Sequence, residues 1–341
     1  MDTKQLRADS YSLLKALLIP LVVLAHITVM YTPDGVYACV TGSRLLRHLT
    51  NYIYSFHMPA FFMASGCVYG LCVQAGKYRK IGSFLCNKSR RLLLPYLLFG
   101  VAYVVPVVYL CGLSKLTVPQ AWVNDILLAK SPRHLWYVLV LFEIFLVTVP
   151  LRKLCEKTPW LPFAAALVLF AVLQPVFFGH PDVLQYKNLV TYQVYFFLGV
   201  LLDFCFDALR RTVSKYWYLW FLFPLAQLGC LFFRPEGLAS YYVRMGFGLL
   251  GCIGTLTLMV ILAEKLPKLQ QSRLLKSLGA CGYGIYLLHP MMIYGIYYFA
   301  CRWTLNPLLV TAGSFVLVLA LSWTLTALWR TVVKNRLFQR K

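Results

Sequence analysis

Lys15 and His26 lie eleven positions apart in one apolar run, Ser12-Leu-Leu-Lys15-Ala-Leu-Leu-Ile-Pro20-Leu-Val-Val-Leu-Ala-His26. In a helix, eleven residues turn through three revolutions plus about 20°, so both side chains leave the same face. They stand about 16 Å apart along the axis. An imidazole, with an ordinary pKa of about 6.5, can take a proton from a hydroxyl or carry a transferred group. An ammonium group attracts an anion. The plainer use of the pair is structural: Lys15 snorkels to headgroups and His26 hydrogen-bonds a neighbouring helix.

Further polar residues interrupt the apolar runs. One run opens Tyr54-Ser-Phe-His57-Met-Pro59 and places His57 at a depth similar to His26; Ser65-Gly66 follows, suited to close helix contact. Lys88, Arg90 and Arg91 stand on the threshold of the next run, where topology explains some positive charge and a phosphate clamp is a second use. His134-Leu-Trp136-Tyr137 opens another run, with Glu143 two turns deeper, and Tyr286-Leu-Leu-His289 lies in a late one.

The elements that position these groups follow from composition. Of 341 residues, 60% are hydrophobic and 13% charged, and mean hydropathy is +0.69. Both fractions lie on the lipid side of soluble norms, and apolar runs of about 20 residues recur from end to end. The expected fold is an all-α, polytopic transmembrane bundle forming a single domain over 1–341. About ten spans are expected, near 12–31, 52–74, 92–111, 135–151, 160–178, 190–206, 216–233, 240–263, 279–300 and 307–330. Helices are required because backbone groups in hydrocarbon need partners within their own segment. Residues 1–10 are polar and the following run is long, so no cleavable signal peptide is expected.

With the N-terminus inside, 23 of the 33 Lys and Arg fall on inner segments and 8 on outer ones. That bias predicts both termini cytoplasmic in a multi-pass protein of the plasma or inner membrane. The formal charge of +22 is spread over these loops. Anionic headgroups are its expected partners, and nucleic-acid binding, which needs a basic patch on a soluble face, is not expected. The eleven cysteines lie mostly in apolar runs and include no CxxC pair. They read as small hydrophobes, and neither a metal site nor a disulfide framework is expected.

In order along the chain stand Lys15-x10-His26, Phe56-His57-Met58-Pro59-Ala-Phe-Phe with Ser65-Gly66, Arg90-Arg91-x3-Pro95-Tyr96, Leu135-Trp136-Tyr137, Phe196-Phe197-Leu198-Gly199 and Tyr286-Leu-Leu-His289. This series resembles the membrane acyltransferase-3 family over almost the whole chain. The resemblance implies O-acyl transfer, often of acetyl, from cytoplasmic acyl-CoA to a hydroxyl of an envelope or exported glycan or glycolipid. It implies that His26 is the essential histidine and Lys15 its basic partner. The family often has arginine at that position; lysine keeps the charge and loses the planar fork. No soluble hydrolase-like domain, as some relatives carry after the bundle, is expected here.

Joined to the residues, the resemblance gives a set of expectations. Acyl-CoA, with acetyl-CoA the expected form and no metal, is held by Lys15, Lys88, Arg90 and Arg91. His26 acts as general base or transient acyl carrier, with His57, His134 or Glu143 orienting it or protonating the leaving thiolate. His134, Trp136 and Tyr137, at the outer mouth, contact the acceptor. The competing class is a transporter or flippase for a modified sugar or organic acid. Its sequence pointers, an inverted repeat and paired Gly/Pro-broken helices, are not evident. Monomer and homodimer are both open.

Overall fold

The computed structural model describes residues 2–33, 35–37 and 42–338, with side chains described up to residue 332. The basic residues Lys334, Arg336, Arg340 and Lys341 fall outside the described side chains. Every regular element among the described residues is helical. The chain opens with α1 (Thr3–Thr28), α2 (Arg44–Tyr54) and α3 (His57–Gln74). A long interrupted helix follows, built from α4 (Ile81–Lys88), α5 (Leu94–Phe99) and α6 (Val105–Leu110). Then come the short α7 (Val118–Ala121), α8 (Trp136–Lys157), α9 (Trp160–Phe177) and α10 (Tyr186–Phe204). The last third holds α11 (Phe206–Tyr216), α12 (Leu222–Gln227), α13 (Ala239–Lys265), α14 (Pro267–Gln271), α15 (Arg273–Ala300) and α16 (Pro307–Phe338).

Seven helices among the described residues are long and apolar enough to cross a membrane, or up to eight if Tyr186–Phe204 and Phe206–Leu231 form one bent span. The sequence leads to ten, and the difference has local causes. The pair Tyr186–Phe204 and Phe206–Leu231 is bent by 81°. The expected span 216–233 is α12 flanked by 3-10 turns at Trp217–Phe221 and Leu228–Leu231, and Pro224 denies it a continuous hydrogen-bond ladder. The expected span 279–300 lies within α15, where tyrosine, glycine, histidine and proline dilute the hydropathy.

α1 is the hub, packing against α2, α3, α13, α15 and α16. Its apolar stretch is 61% buried, whereas those of α9 and α16, at the periphery, are 22% buried. The helix begins earlier than hydropathy suggests. Asp2 caps it by accepting the Lys4 N–H at 3.3 Å, and Leu6 is fully buried. α3 and α10 cross with their backbones nearly touching. A Cβ on Gly66 would sit 1.9 Å from the Phe196 carbonyl oxygen, and one on Gly199 would sit 2.1 Å from that of Met63. Small residues permit this approach, and lipid offers no competing hydrophobic driving force.

Two π turns, Ser89–Leu93 and Gly100–Val104, interrupt the helix that carries the basic cluster. Each ends just before the residue preceding a proline, and the ladder widens there: Leu94 N–H reaches Ser89 and Val105 N–H reaches Gly100. Pro95 and Pro106 have no N–H to offer the fourth carbonyl back, and their rings crowd it. Cys301, just beyond α15, is disulfide-bonded, which departs from the sequence expectation of no disulfide, while nine other cysteines are free thiols as expected.

Candidate functional site

Four of the six histidines gather around the end of α1 that carries His26. His26 Nδ1 lies 3.2 Å from His289 Nε2, with the ring centroids 4.9 Å apart. His134 stands on the other side of His289, with centroids 6.2 Å apart, and its Nε2 lies 3.3 Å from the Leu287 carbonyl. His57, the first residue of α3, has Nδ1 2.8 Å from the Ile53 carbonyl. It lies within electrostatic reach of His26, as does His134. His57 Nε2 and His134 Nδ1 are buried without a hydrogen-bond partner.

α15 supplies the frame for this cluster. Pro290 denies an N–H to the Tyr286 carbonyl and opens the turn before it. Carbonyls on that turn take side-chain donors: His289 Nδ1 at Ile285, His134 Nε2 at Leu287, and the Tyr103 hydroxyl at Leu288, 3.1 Å away. The Tyr286 hydroxyl in turn donates to the His134 carbonyl and ties the turn before α8 to α15. Among the described residues, no group of three His, Cys, Asp or Glu is arranged to hold a metal ion.

Trp136 and Tyr137 sit beside the histidines within an aromatic core. Trp136 packs on Tyr192 at 4.9 Å and Phe62 at 6.0 Å. The Tyr137 ring meets Tyr286 at 5.4 Å, and its hydroxyl shares a hydrogen bond with Ser65 at 3.3 Å. Glu143 stands apart. Its Oε2 is buried without a partner among the described residues, and its electrostatic neighbours are Asp182 and Tyr96.

The basic groups meet toward the other end of the α1 face. Lys15 makes no hydrogen bond or ion pair among the described residues and lies within electrostatic reach of Cys67 and Cys72 on α3. Lys88 feels the charges of both Arg91 and Lys15. Its ammonium rests 3.5 Å over the Phe145 ring, with Tyr78 at 5.3 Å and Phe84 at 5.5 Å completing a cage. Burial pushes the Tyr78 phenol up, and the nearby Arg91 charge pulls it down. Arg90 and Arg91 are both exposed, but only Arg91 joins Lys88 and Lys15; adjacent residues on a helix point about 100° apart.

Sequence reasoning missed a buried knot near this basic end. Asp203, fully buried at the end of α10, accepts hydrogen bonds from Tyr11 at 2.7 Å and Gln74 at 2.8 Å. Arg7, counted from sequence as a loop charge, pairs with it at 3.7 Å and bonds Gln74 at 3.1 Å. The knot clamps α1, α3 and α10 together and engages the Asp203 carboxylate on both oxygens. A 390 Å³ apolar cavity opens elsewhere, between Leu14, Leu17 and Leu21 of α1, Trp220, and Gly251 and Leu258 of α13. Those α1 residues look away from the Lys15–His26 face, and none of the candidate groups lines the cavity.

His289 belongs to this site more closely than Glu143. The sequence signal was its i, i+3 spacing from Tyr286, which puts both on one face of α15. A family model described as an acyltransferase domain matches residues 9–327. No curated protein and no solved structure matches the chain.

Proposed function

The chain belongs to the acyltransferase-3 family, and from that premise we propose that this membrane acyltransferase moves an acyl group, acetyl being the expected one, from cytoplasmic acyl-CoA to a glycan or glycolipid hydroxyl on the other side. The observation that carries this reading is the single face of α1. One end meets a basic cluster of Lys15, Lys88 and Arg91, and the other end, about 16 Å away, meets the histidines. The polyanionic nucleotide stays at the basic end, and the extended pantetheine arm, on the order of that length, delivers the thioester to His26. Arg90, exposed and outside the cluster, serves the membrane surface instead.

His26 then acts as general base. The acceptor hydroxyl gives its proton to the imidazole as its oxygen bonds the thioester carbonyl carbon. The carbon–sulfur bond breaks, and the proton passes to the departing sulfur, leaving an ester and free CoA thiol. In the acyl-carrier variant the carbonyl is first attacked by His26, and an acylated imidazole accumulates when acceptor is withheld. His57 and His134, each with one buried unpartnered nitrogen, are the available contacts for the acceptor or the leaving group. Trp136 and Tyr137 support the acceptor site from the aromatic core behind it. Glu143, whose electrostatic neighbours are Asp182 and Tyr96, is assigned no step.

The proposed orientation puts both termini in the cytoplasm of a cell-membrane protein. On the ten-span assignment the basic bias of 23 against 8 supports it. So does disulfide-bonded Cys301, at the end of α15 opposite Arg273, since disulfides persist on the oxidising side.

The test is CoA thiol release by purified protein in liposomes, with and without glycan acceptor. Release should require the acceptor, and His26→Ala, folded and inserted, should release none above background. A His26→Ala protein with normal acceptor-dependent release would remove the reading.

A further inference from the structure

We infer that His289 is a positioning residue: its Nε2 accepts the Nδ1–H of His26, holding His26 in the tautomer whose Nε2 lone pair faces the acceptor hydroxyl. The inference rests on the reading of His26 as the proton acceptor, and it follows from hydrogen-bond bookkeeping on two rings. His289 Nδ1 lies 2.9 Å from the Ile285 carbonyl oxygen, which can only accept. Nδ1 therefore carries the hydrogen, and in a neutral imidazole Nε2 then has only a lone pair. That lone pair lies 3.2 Å from His26 Nδ1, which must donate to it. A neutral ring has one N–H, so His26 Nε2 is bare. It makes no hydrogen bond within the described protein.

Nothing intrinsic to His26 selects this tautomer. The selection starts at the backbone of α15 and passes through one fully buried ring. The arrangement does with a neutral acceptor what a buried carboxylate does in a serine–histidine–aspartate triad. A neutral acceptor suits this depth, because a carboxylate there would need a permanent positive partner. When His26 takes the proton, the Nδ1–H···Nε2 bond becomes charge-assisted and strengthens as the reaction needs it. Both nitrogens of His289 are engaged, so it has none left for substrate. It acts through His26.

Two measurements on the intact protein in nanodiscs or liposomes test this. The first is the 15N spectrum of histidine-labelled wild type, with His26 assigned by its loss in His26→Ala. The expected signature is a neutral His26 protonated at Nδ1. A His26 protonated at Nε2 overturns the inference, whatever the variants do, whereas the need for His26 itself is read separately from turnover in His26→Ala. The second compares His289→Leu with His289→Gln, whose side-chain oxygen can take the place of Nε2. The leucine variant should lower kcat about 10²-fold or more with the acyl-donor KM unchanged. It should also lose the Nδ1–H signature. The glutamine variant should recover at least about tenfold of that loss and regain the signature. Equal kcat in both variants, or loss expressed only in KM, would overturn the positioning role. Turnover surviving in His26→Ala would instead remove the underlying reading, and the two failures are distinct.

Discussion

At the scale of single residues, the basic cluster makes the sharpest prediction about donor binding. Sequence treats Arg90 and Arg91 as a pair, but the structure separates them: Arg91, together with Lys15, is among the charges that Lys88 feels, and Arg90 is not. A charge-assisted contact to a phosphate contributes about 1.5–3 kcal/mol, which is about tenfold or more in affinity. Arg91→Gln should therefore weaken acyl-CoA binding about tenfold, and Lys88→Met should act in the same direction, while Arg90→Gln stays within about twofold. Calorimetric titration with acyl-CoA measures all three, and equal losses at 90 and 91 would restore the adjacent-arginine clamp. The shared face of Lys15 and His26 was legible because helical geometry alone fixes it. The His26–His289 contact was not legible, because it joins positions 263 residues apart through a turn of α15 that packing against α1 determines.

At the scale of elements, the crossing of α3 and α10 is where the bundle is least forgiving. The atoms that a new Cβ would meet at Gly66 and Gly199 are backbone carbonyls, which cannot rotate away as a side chain would. Gly66→Ala and Gly199→Ala should each destabilise the protein by about 1–3 kcal/mol, the usual range for overpacking, or more because the helices must separate. Gly246 on α13 is the control, since a Cβ there meets nothing within 4 Å. Gly246→Ala should be neutral or mildly stabilising, alanine being the better helix former. Thermal unfolding in detergent decides between them: similar melting temperatures for Gly66→Ala and Gly246→Ala would mean that the crossing relaxes. Sequence located Ser65-Gly66 as a packing motif and Phe196-Phe197-Leu198-Gly199 as a separate string, but only the fold joins them. It likewise located the apolar runs well and their interruptions poorly. The 81° bend after Phe204 and the breaks around α12, where Pro224 withholds an N–H, belong to a backbone ladder that hydropathy does not see.

At the scale of the whole molecule, the proposed reaction needs two different sides, so sidedness is the property that can sink it. The basic cluster and the N-terminus of α1 share one end, and the histidines approach the other. Two free thiols report on the first end: Cys86 in α4, two residues before Lys88, and Cys205 at the bend that follows Asp203, both exposed. The Arg210–Glu264 ion pair at 3.0 Å ties the middle of α11 to the end of α13 at this same end. If the N-terminus is cytoplasmic, a membrane-impermeant maleimide added to intact cells should leave Cys86 and Cys205 unmodified, and permeabilisation should expose both. The matching functional experiment uses sealed vesicles of each orientation. Acyl-CoA added outside should support transfer only in inverted vesicles, with acceptor enclosed, because the nucleotide is too charged to cross. Labelling of Cys86 from outside intact cells would reverse the molecule. The donor would then have to bind on the face where acyl-CoA is absent, and transfer across the bilayer from a cytoplasmic donor would fail as an account of this protein even with every histidine in place.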